Sequence, residues 1–338
     1  MERMARAVLE WTIRQARAAR QLLQQPWVRK LGYGMVGLAV LWWVVIVVRN
    51  FPLLREQIRS LDMRYLSASY LLLFVAIGLA ASRWPLVVRA AGSECRFLWL
   101  FRTWFLAQAA RHLPGGVWNY ASAVALTSTE VRASTTAVGF AMDAVLRLAG
   151  DAIVISGFWL VDRSGAPWVI LAAIGYLGAL CIAALLLNWF LDGNGRLPGL
   201  EFDHGLPRTF LRRLVLPMGV SVLSSVLVGL AFWMFARSFP ESEALTLMTA
   251  VWGMTVSDAA GFLVPFAPSG LGIREGLLTY WLAGPMTEFS AVLISGLSRV
   301  WFLSAEALFI AIVLGIFWLG RYALKSKAGE FRRQSSPR

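Results

Sequence analysis

The chain has 338 residues, 58% of them hydrophobic and only 15% charged, a balance that a water-soluble core of this size could not hide from solvent. The net charge of +13 would suit a nucleic-acid partner, but the basic residues flank apolar runs instead of forming a soluble patch interleaved with aromatics. Lipid is therefore the expected solvent for most of the surface, and anionic lipid the expected partner in place of nucleic acid.

Residues 1–30 carry Arg3, Arg6, Arg14, Arg17 and Arg20 with Val8, Leu9, Trp11 and Ile13 between them, a pattern that predicts a basic helix lying on the membrane surface. No small-residue cleavage pattern follows the first apolar run, so no cleavable signal is expected. Apolar sequence then continues from residue 31 to residue 320, which predicts one membrane domain in two halves, 31–161 and 168–320, followed by a basic tail, 321–338.

Six segments approach the roughly 20 residues that a spanning helix needs. They are Leu31 to Val48, Leu66 to Ser82, Ala137 to Val161, Trp168 to Leu191, Leu214 to Phe235 and Phe289 to Gly320. Two further apolar stretches are interrupted: Phe97 to Leu126 by Leu113-Pro114-Gly115-Gly116, and Ala244 to Ala283 by Pro265-Phe266-Ala267-Pro268-Ser269-Gly270. Proline removes a backbone donor and glycine frees the chain to turn, so each stretch reads as a re-entrant helical hairpin that enters and leaves on one side. The competing reading is a plain kink in a longer helix.

This arrangement places 21 Lys and Arg in the loops assigned to the cytoplasm against 6 in the outer loops, the bias expected of an inner-membrane protein with both termini inside. Each half then reads span, span, hairpin, span, in opposite orientations. The expected fold is thus an all-α polytopic membrane protein, with about six full spans and two re-entrant hairpins in an inverted repeat. Pro114-Gly115-Gly116-Val117 aligns with Pro268-Ser269-Gly270-Leu271, and an arginine follows 33 residues later at Arg147 and 31 later at Arg299. Broken segments at matching positions point to a transporter's binding site.

Arg102, Arg111, Arg147, Arg274 and Arg299 all fall within apolar segments, where each needs a partner, a cavity or the interface. Arg111 and Arg274 flank the two breaks, where a free helix N-terminus would favour a phosphate. Asp143, Arg147 and Asp151 recur every fourth residue on one helix face and can neutralise one another, and Arg299 and Glu306 also share a face. The candidate headgroup site therefore comprises Arg111, Pro114, Gly115, Gly116, Asp143, Arg147, Asp151, Asp258, Pro268, Gly270, Gly272, Arg274, Glu275, Arg299 and Glu306. Equal weight goes to a structural reading in which these are ion pairs that let helices pack. Asp258, Glu275, Asp143 and Asp151 are also candidates for proton exchange.

No phosphate loop of the ATPase type is present, Gly270, Gly272 and Gly276 have the wrong spacing for a dinucleotide fingerprint, and His112 and His204 are the only histidines. Cys95 and Cys181 encode neither a disulfide framework nor a metal cluster. The expectation is a non-enzyme without metal or cofactor. Tryptophans near span ends, such as Trp84, Trp99, Trp159 and Trp168, read as interfacial anchors.

The run Pro265-Phe266-Ala267-Pro268-Ser269-Gly270-Leu271-Gly272-Ile273-Arg274-Glu275-Gly276 resembles the signature of the lysylphosphatidylglycerol synthase transmembrane-region family of flippase-like membrane proteins. His112-Leu113-Pro114-Gly115-Gly116-Val117-Trp118 resembles that family's first-half break, and the helix around Arg147 falls where the family carries an arginine. The resemblance implies a flippase-type domain, moving aminoacylated phosphatidylglycerol in the best-known members, with other relatives tied to hopanoid or polyprenyl-linked sugar pathways. It does not imply lysyl transfer, since no soluble aminoacyl-transfer domain is read after Gly320. The expected function is a lipid flippase for an anionic or lipid-linked headgroup. The alternative is a non-transporting accessory subunit of a lipid-modifying or glycosyltransferase enzyme, and either is compatible with a homo-oligomer or a lipid-pathway enzyme partner.

Overall fold

The computed structural model describes residues 55–56, 59–109, 118–127, 130–161, 210–264 and 270–334. The expected spans at 31–48 and 168–191, and Arg111, Pro114, Gly115, Gly116 and Pro268, lie outside them. The regular elements among the described residues are all helical. They are α1 (Met63–Ala90), α2 (Phe97–Ala109), α3 (Trp118–Thr127), α4 (Ala133–Val161), α5 (Val215–Arg237), α6 (Leu247–Leu263), α7 (Ile273–Leu282) and α8 (Glu288–Gln334), with a single helical turn, Phe210–Arg213, ahead of α5.

Three of these, α1, α5 and the Glu288–Ile316 part of α8, are long and apolar enough to cross a membrane. Helix α4 has 29 residues and carries Asp143, Arg147 and Asp151 along its length. Local chemistry sets several of the helix starts. The Asp62 carboxylate accepts from the Arg64 N–H at 2.8 Å, and the Thr246 hydroxyl accepts from the Thr249 N–H at 3.1 Å, each filling an otherwise orphaned donor.

Contacts along the helices fix their relative directions. Asp62 N–H, at the start of α1, donates to the Ser238 carbonyl just past α5 at 2.9 Å, while Arg83, late in α1, reaches Ser221, early in α5. Helices α1 and α5 are therefore antiparallel. Trp84 stacks on Phe140 and Arg83 binds Asp143, so α4 also opposes α1. Helix α8 runs parallel to α1, because Ser69 meets Trp301, Tyr70 meets Ser304 and Phe74 meets Phe309 in the same order along both.

The two broken stretches form pairs of short packed helices, α2 with α3 and α6 with α7. The second pair is an antiparallel hairpin, in which Gly253 faces Trp281 near the open end and Gly261 faces Arg274 near the tip.

A continuous aromatic core links α1, α2, α5 and α8, with Phe235 stacked on Trp301 at 4.9 Å and Phe105 on Phe309 at 5.2 Å. Small residues bring backbones together, as membrane helix packing requires. At Gly150 an added Cβ would meet the Ser221 backbone at 2.9 Å, which sets the α4–α5 crossing. Leu71, Val75, Leu216, Leu308 and Ile316 are exposed, as lipid-facing side chains are.

Two helix ends and the role of one tryptophan differ from the sequence expectations. Helix α1 does not stop at Ser82 but continues to Ala90, through Arg83 and Pro85. Asp143 neutralises the arginine, and a proline costs one backbone bond that surrounding packing can absorb. Trp84 is not an interfacial anchor, being completely buried between α1 and α4. Helix α8 runs on past Gly320 to Gln334, because Arg, Ala, Leu, Lys and Glu are good helix formers whether or not lipid surrounds them.

Candidate functional site

Charged chemistry inside the apolar helices converges where the tip of the α6–α7 hairpin meets α4 and α8. The tip is built by glycines. Gly270 and Gly272 have φ of 71° and 86°, and a Cβ on Gly270 would lie 2.6 Å from the Gly261 Cα, so the chain at Gly270 lies flat against α6. Glu275 then starts α7 by reaching back to accept from the Gly272 N–H at 2.8 Å, the carboxylate half of a capping box.

The other Glu275 oxygen, Oε1, lies 3.6 Å from Arg274 Nη1 and 3.7 Å from Arg299 Nη1 on α8. The Ser295 hydroxyl, one turn earlier on α8, donates to the Glu275 carbonyl at 2.7 Å. Arg274 is 3% exposed: its Nε is 3.5 Å from Asp258 Oδ1, Nη2 touches Met254 Sδ at 3.6 Å, and the guanidinium lies 5.8 Å from the Phe302 ring centre. Asp258 in turn binds Arg147, with Oδ2 to Nη2 at 2.5 Å, and the Phe262 ring lies 4.5 Å beneath the Arg147 guanidinium.

The result is an alternating series, Arg147, Asp258, Arg274, Glu275, Arg299, contributed by α4, α6, α7 and α8. Its Arg274 core is sealed, whereas the Arg147 and Asp258 side chains at one end keep about a third of their surface, 30% and 31%. Arg147 stands at the middle of α4, so the hairpin tip reaches halfway along that helix.

A second cluster joins α1, α4 and α5. Arg83 grips Asp143 through two bonds, Nε to Oδ1 at 2.7 Å and Nη2 to Oδ2 at 3.3 Å, and donates to the Ser221 hydroxyl at 3.3 Å. The Ser221 hydroxyl donates in turn to the Leu146 carbonyl at 2.7 Å, and Ser225 donates to Asp151 Oδ1 at 2.5 Å.

Asp143, Arg147 and Asp151 do share a face of α4, but their hydrogen bonds run outward to α1, α6 and α5 and not along the helix. Of the residues expected at the site, Arg147, Asp258, Gly270, Gly272, Arg274, Glu275 and Arg299 come together at the hairpin tip. Asp143 and Asp151 belong to the second cluster, and Glu306 is buried further along α8. Sequence reasoning missed Arg83, Ser221 and Ser225. The signal for Arg83 was the run Trp84-Pro85-Leu86-Val87-Val88 after it, too apolar for a loop. Among the described residues no group of three His, Cys, Asp or Glu side chains is placed to hold a metal.

Asp151 Oδ2 is buried and makes no hydrogen bond among the described residues, which leaves Ser225 as the visible hydroxyl donor to this carboxylate. Ser225→Ala should lower stability by about 1–3 kcal/mol, while Ser225→Thr keeps the hydroxyl and most of the stability. Thermal unfolding of the purified protein in detergent checks this, and equal melting of Ala and Thr variants would show that the bond contributes nothing.

A family model described as the lysylphosphatidylglycerol synthase TM region matches residues 34–303. No curated protein and no solved structure matches the chain.

Proposed function

Because the chain belongs to the lysylphosphatidylglycerol synthase TM-region family, a family of membrane domains tied to lipid modification and transport, we propose that it is a lipid flippase that moves an anionic or lipid-linked headgroup across the inner membrane. Phospholipid and polyprenyl-phosphate-linked cargoes share the chemistry required, a phosphate on an apolar tail, and a hopanoid-related cargo would have to carry such an anion.

The observation that carries this reading is the half-open charge series at the hairpin tip. Arg147, at the middle of α4, and Asp258 on α6 form an ion pair while remaining about a third exposed. A headgroup phosphate arriving there exchanges with the Asp258 carboxylate as the partner of Arg147, so one charged pair replaces another and the guanidinium is never left bare in a low dielectric. The sealed Arg274, held from two sides by Asp258 and Glu275, keeps the tip rigid during the exchange. The acyl chains stay in the bilayer.

Helix directions support an inverted repeat. The first long described helix of each half, α1 and α5, are antiparallel, and the last of each half, α4 and α8, run in opposite senses. Those are the directions that the six-span topology with two re-entrant hairpins requires, and the tip contact at Arg147, halfway along α4, supports a hairpin that ends near the midplane if α4 spans the bilayer.

The accessory-subunit reading draws on a different observation, the burial of Arg274 among protein partners, which is what purely structural ion pairs would look like. Reconstitution separates the two. Proteoliposomes containing head-labelled lipids are expected to show protein-dependent movement that falls about tenfold or more in Arg147→Gln, the rate equivalent of roughly 1.4 kcal/mol at the barrier. Unchanged movement in Arg147→Gln and in Arg274→Ala would remove the site from the mechanism. A well-folded wild type that moves no lipid but co-purifies with a lipid-modifying enzyme would establish the accessory role.

A further inference from the structure

Where α1 ends and α5 begins, a cavity of about 510 Å³ opens on the opposite side of α1 from the aromatic core. Its wall combines Arg89 from the last turn of α1, Arg213 from the helical turn before α5, and Glu94 from the loop after α1, with Leu86, Leu216 and Pro217 as apolar surface. We propose that this cavity docks the phosphodiester headgroup of a membrane phospholipid, at a site separate from the hairpin tip.

Charge comes first. Arg89 and Arg213 are exposed and make no ion pair among the described residues, in contrast to Arg83, Arg147, Arg274 and Arg299, which are all paired. Two guanidinium groups and one carboxylate leave the wall with a single net positive charge, which matches a monoanionic phosphodiester better than a dianionic free phosphate or a nucleotide. Three carbonyls in the last turn of α1, which would repel an anion, are already taken: Val87 by Ala91 N–H at 2.9 Å, Val88 by Ser93 N–H at 3.3 Å and Arg89 by Gly92 N–H at 3.1 Å.

Shape and setting agree. Val87, Ala90, Met142, Leu146, Phe210 and Leu214 form a small core of their own beneath the cavity, so both arginines are presented by packed elements and not by loose loops. Val215 and Leu216 lie at the same level with 72% and 62% of their surface exposed, an apolar face beside the basic one, as an amphiphile needs and a soluble anion does not. Arg96, just after α1, and Arg212, beside Arg213, are also exposed at this end, the composition that faces anionic lipid.

The inference takes its ligand class from the lipid reading above but does not depend on transport. It is tested on the full-length protein in detergent by titration with phosphatidylglycerol under native mass spectrometry, with diacylglycerol and inorganic phosphate as comparison ligands. Saturable phosphatidylglycerol binding is expected, weakened about tenfold or more in Arg89→Gln/Arg213→Gln, as for the loss of two charge-assisted bonds, and unchanged in Arg64→Gln at the other end of α1. A photoreactive phosphatidylglycerol should label residues 86–94 and 213–217 of the wild type. Wild-type affinity in the double variant, labelling confined to other segments, or displacement of the lipid by an equal concentration of inorganic phosphate would each overturn the proposal. Lipid movement that persists without this binding refutes the docking site alone, and binding without movement refutes the flippase reading alone.

Discussion

Arg83→Ala is expected to lower the stability of the folded protein by about 3–5 kcal/mol, the cost of stranding a buried carboxylate. The Arg83 side chain is 6% exposed and that of Asp143 13%, and the guanidinium holds both carboxylate oxygens while also donating to Ser221. Truncation leaves Asp143 facing α1 with no cation on that helix to meet it, and it removes one of the donors to the Ser221 hydroxyl that ties α5 to the Leu146 carbonyl.

The double variant Arg83→Met/Asp143→Leu should regain most of the loss, because two apolar groups of similar size need no mutual neutralisation. Thermal melting in detergent, followed by the fluorescence of the protein's tryptophans, gives the full cycle of wild type, two single variants and the double. A cycle with no coupling, each single change being harmless, would mean that water reaches Arg83 and that the charged end of α1 adds nothing to the packing of α4.

That pair also shows where sequence reading stops. An arginine after a long apolar run marks the end of a span by hydropathy, and the reading that ended the second span at Ser82 followed that rule. Asp143, which makes Arg83 acceptable inside the helix, lies 60 residues away, so the burial is a property of the tertiary contact. The same limit explains α4. Fourfold spacing correctly placed Asp143, Arg147 and Asp151 on one face, but spacing alone cannot tell whether neighbouring charges neutralise each other or turn to three different helices. What was legible was local: the apolar run that becomes α5, and the break between α6 and α7, where the described chain turns at Gly270 and Gly272. Even there, the sequence put Arg274 beside a helix end as a phosphate clamp, and only the fold reveals Asp258, Met254 and Phe302 closing around it.

Gly270→Val should abolish lipid movement by the protein, and it should do so through geometry at a position that carries no charge. The residue has φ of 71°, a conformation that costs an ordinary L-residue about 1–2 kcal/mol. Its added Cβ would stand 2.6 Å from Gly261 Cα and 2.8 Å from the Gly261 carbonyl group, backbone atoms that cannot rotate away, which adds about 1–3 kcal/mol of overpacking. Relief requires the tip to lift from α6, and lifting it pulls Arg274 from Asp258 and frees Asp258 to hold Arg147 more tightly. Gly276→Ala is the matched control, since a Cβ there, on α7, meets nothing within 4 Å beyond that helix's own backbone, and it should move lipid at the wild-type rate. Translocation in proteoliposomes, set beside melting in detergent, reads both consequences. If Gly270→Val destabilises the protein yet moves lipid as fast as Gly276→Ala, the seating of the hairpin tip is structural, and the path of the headgroup runs elsewhere.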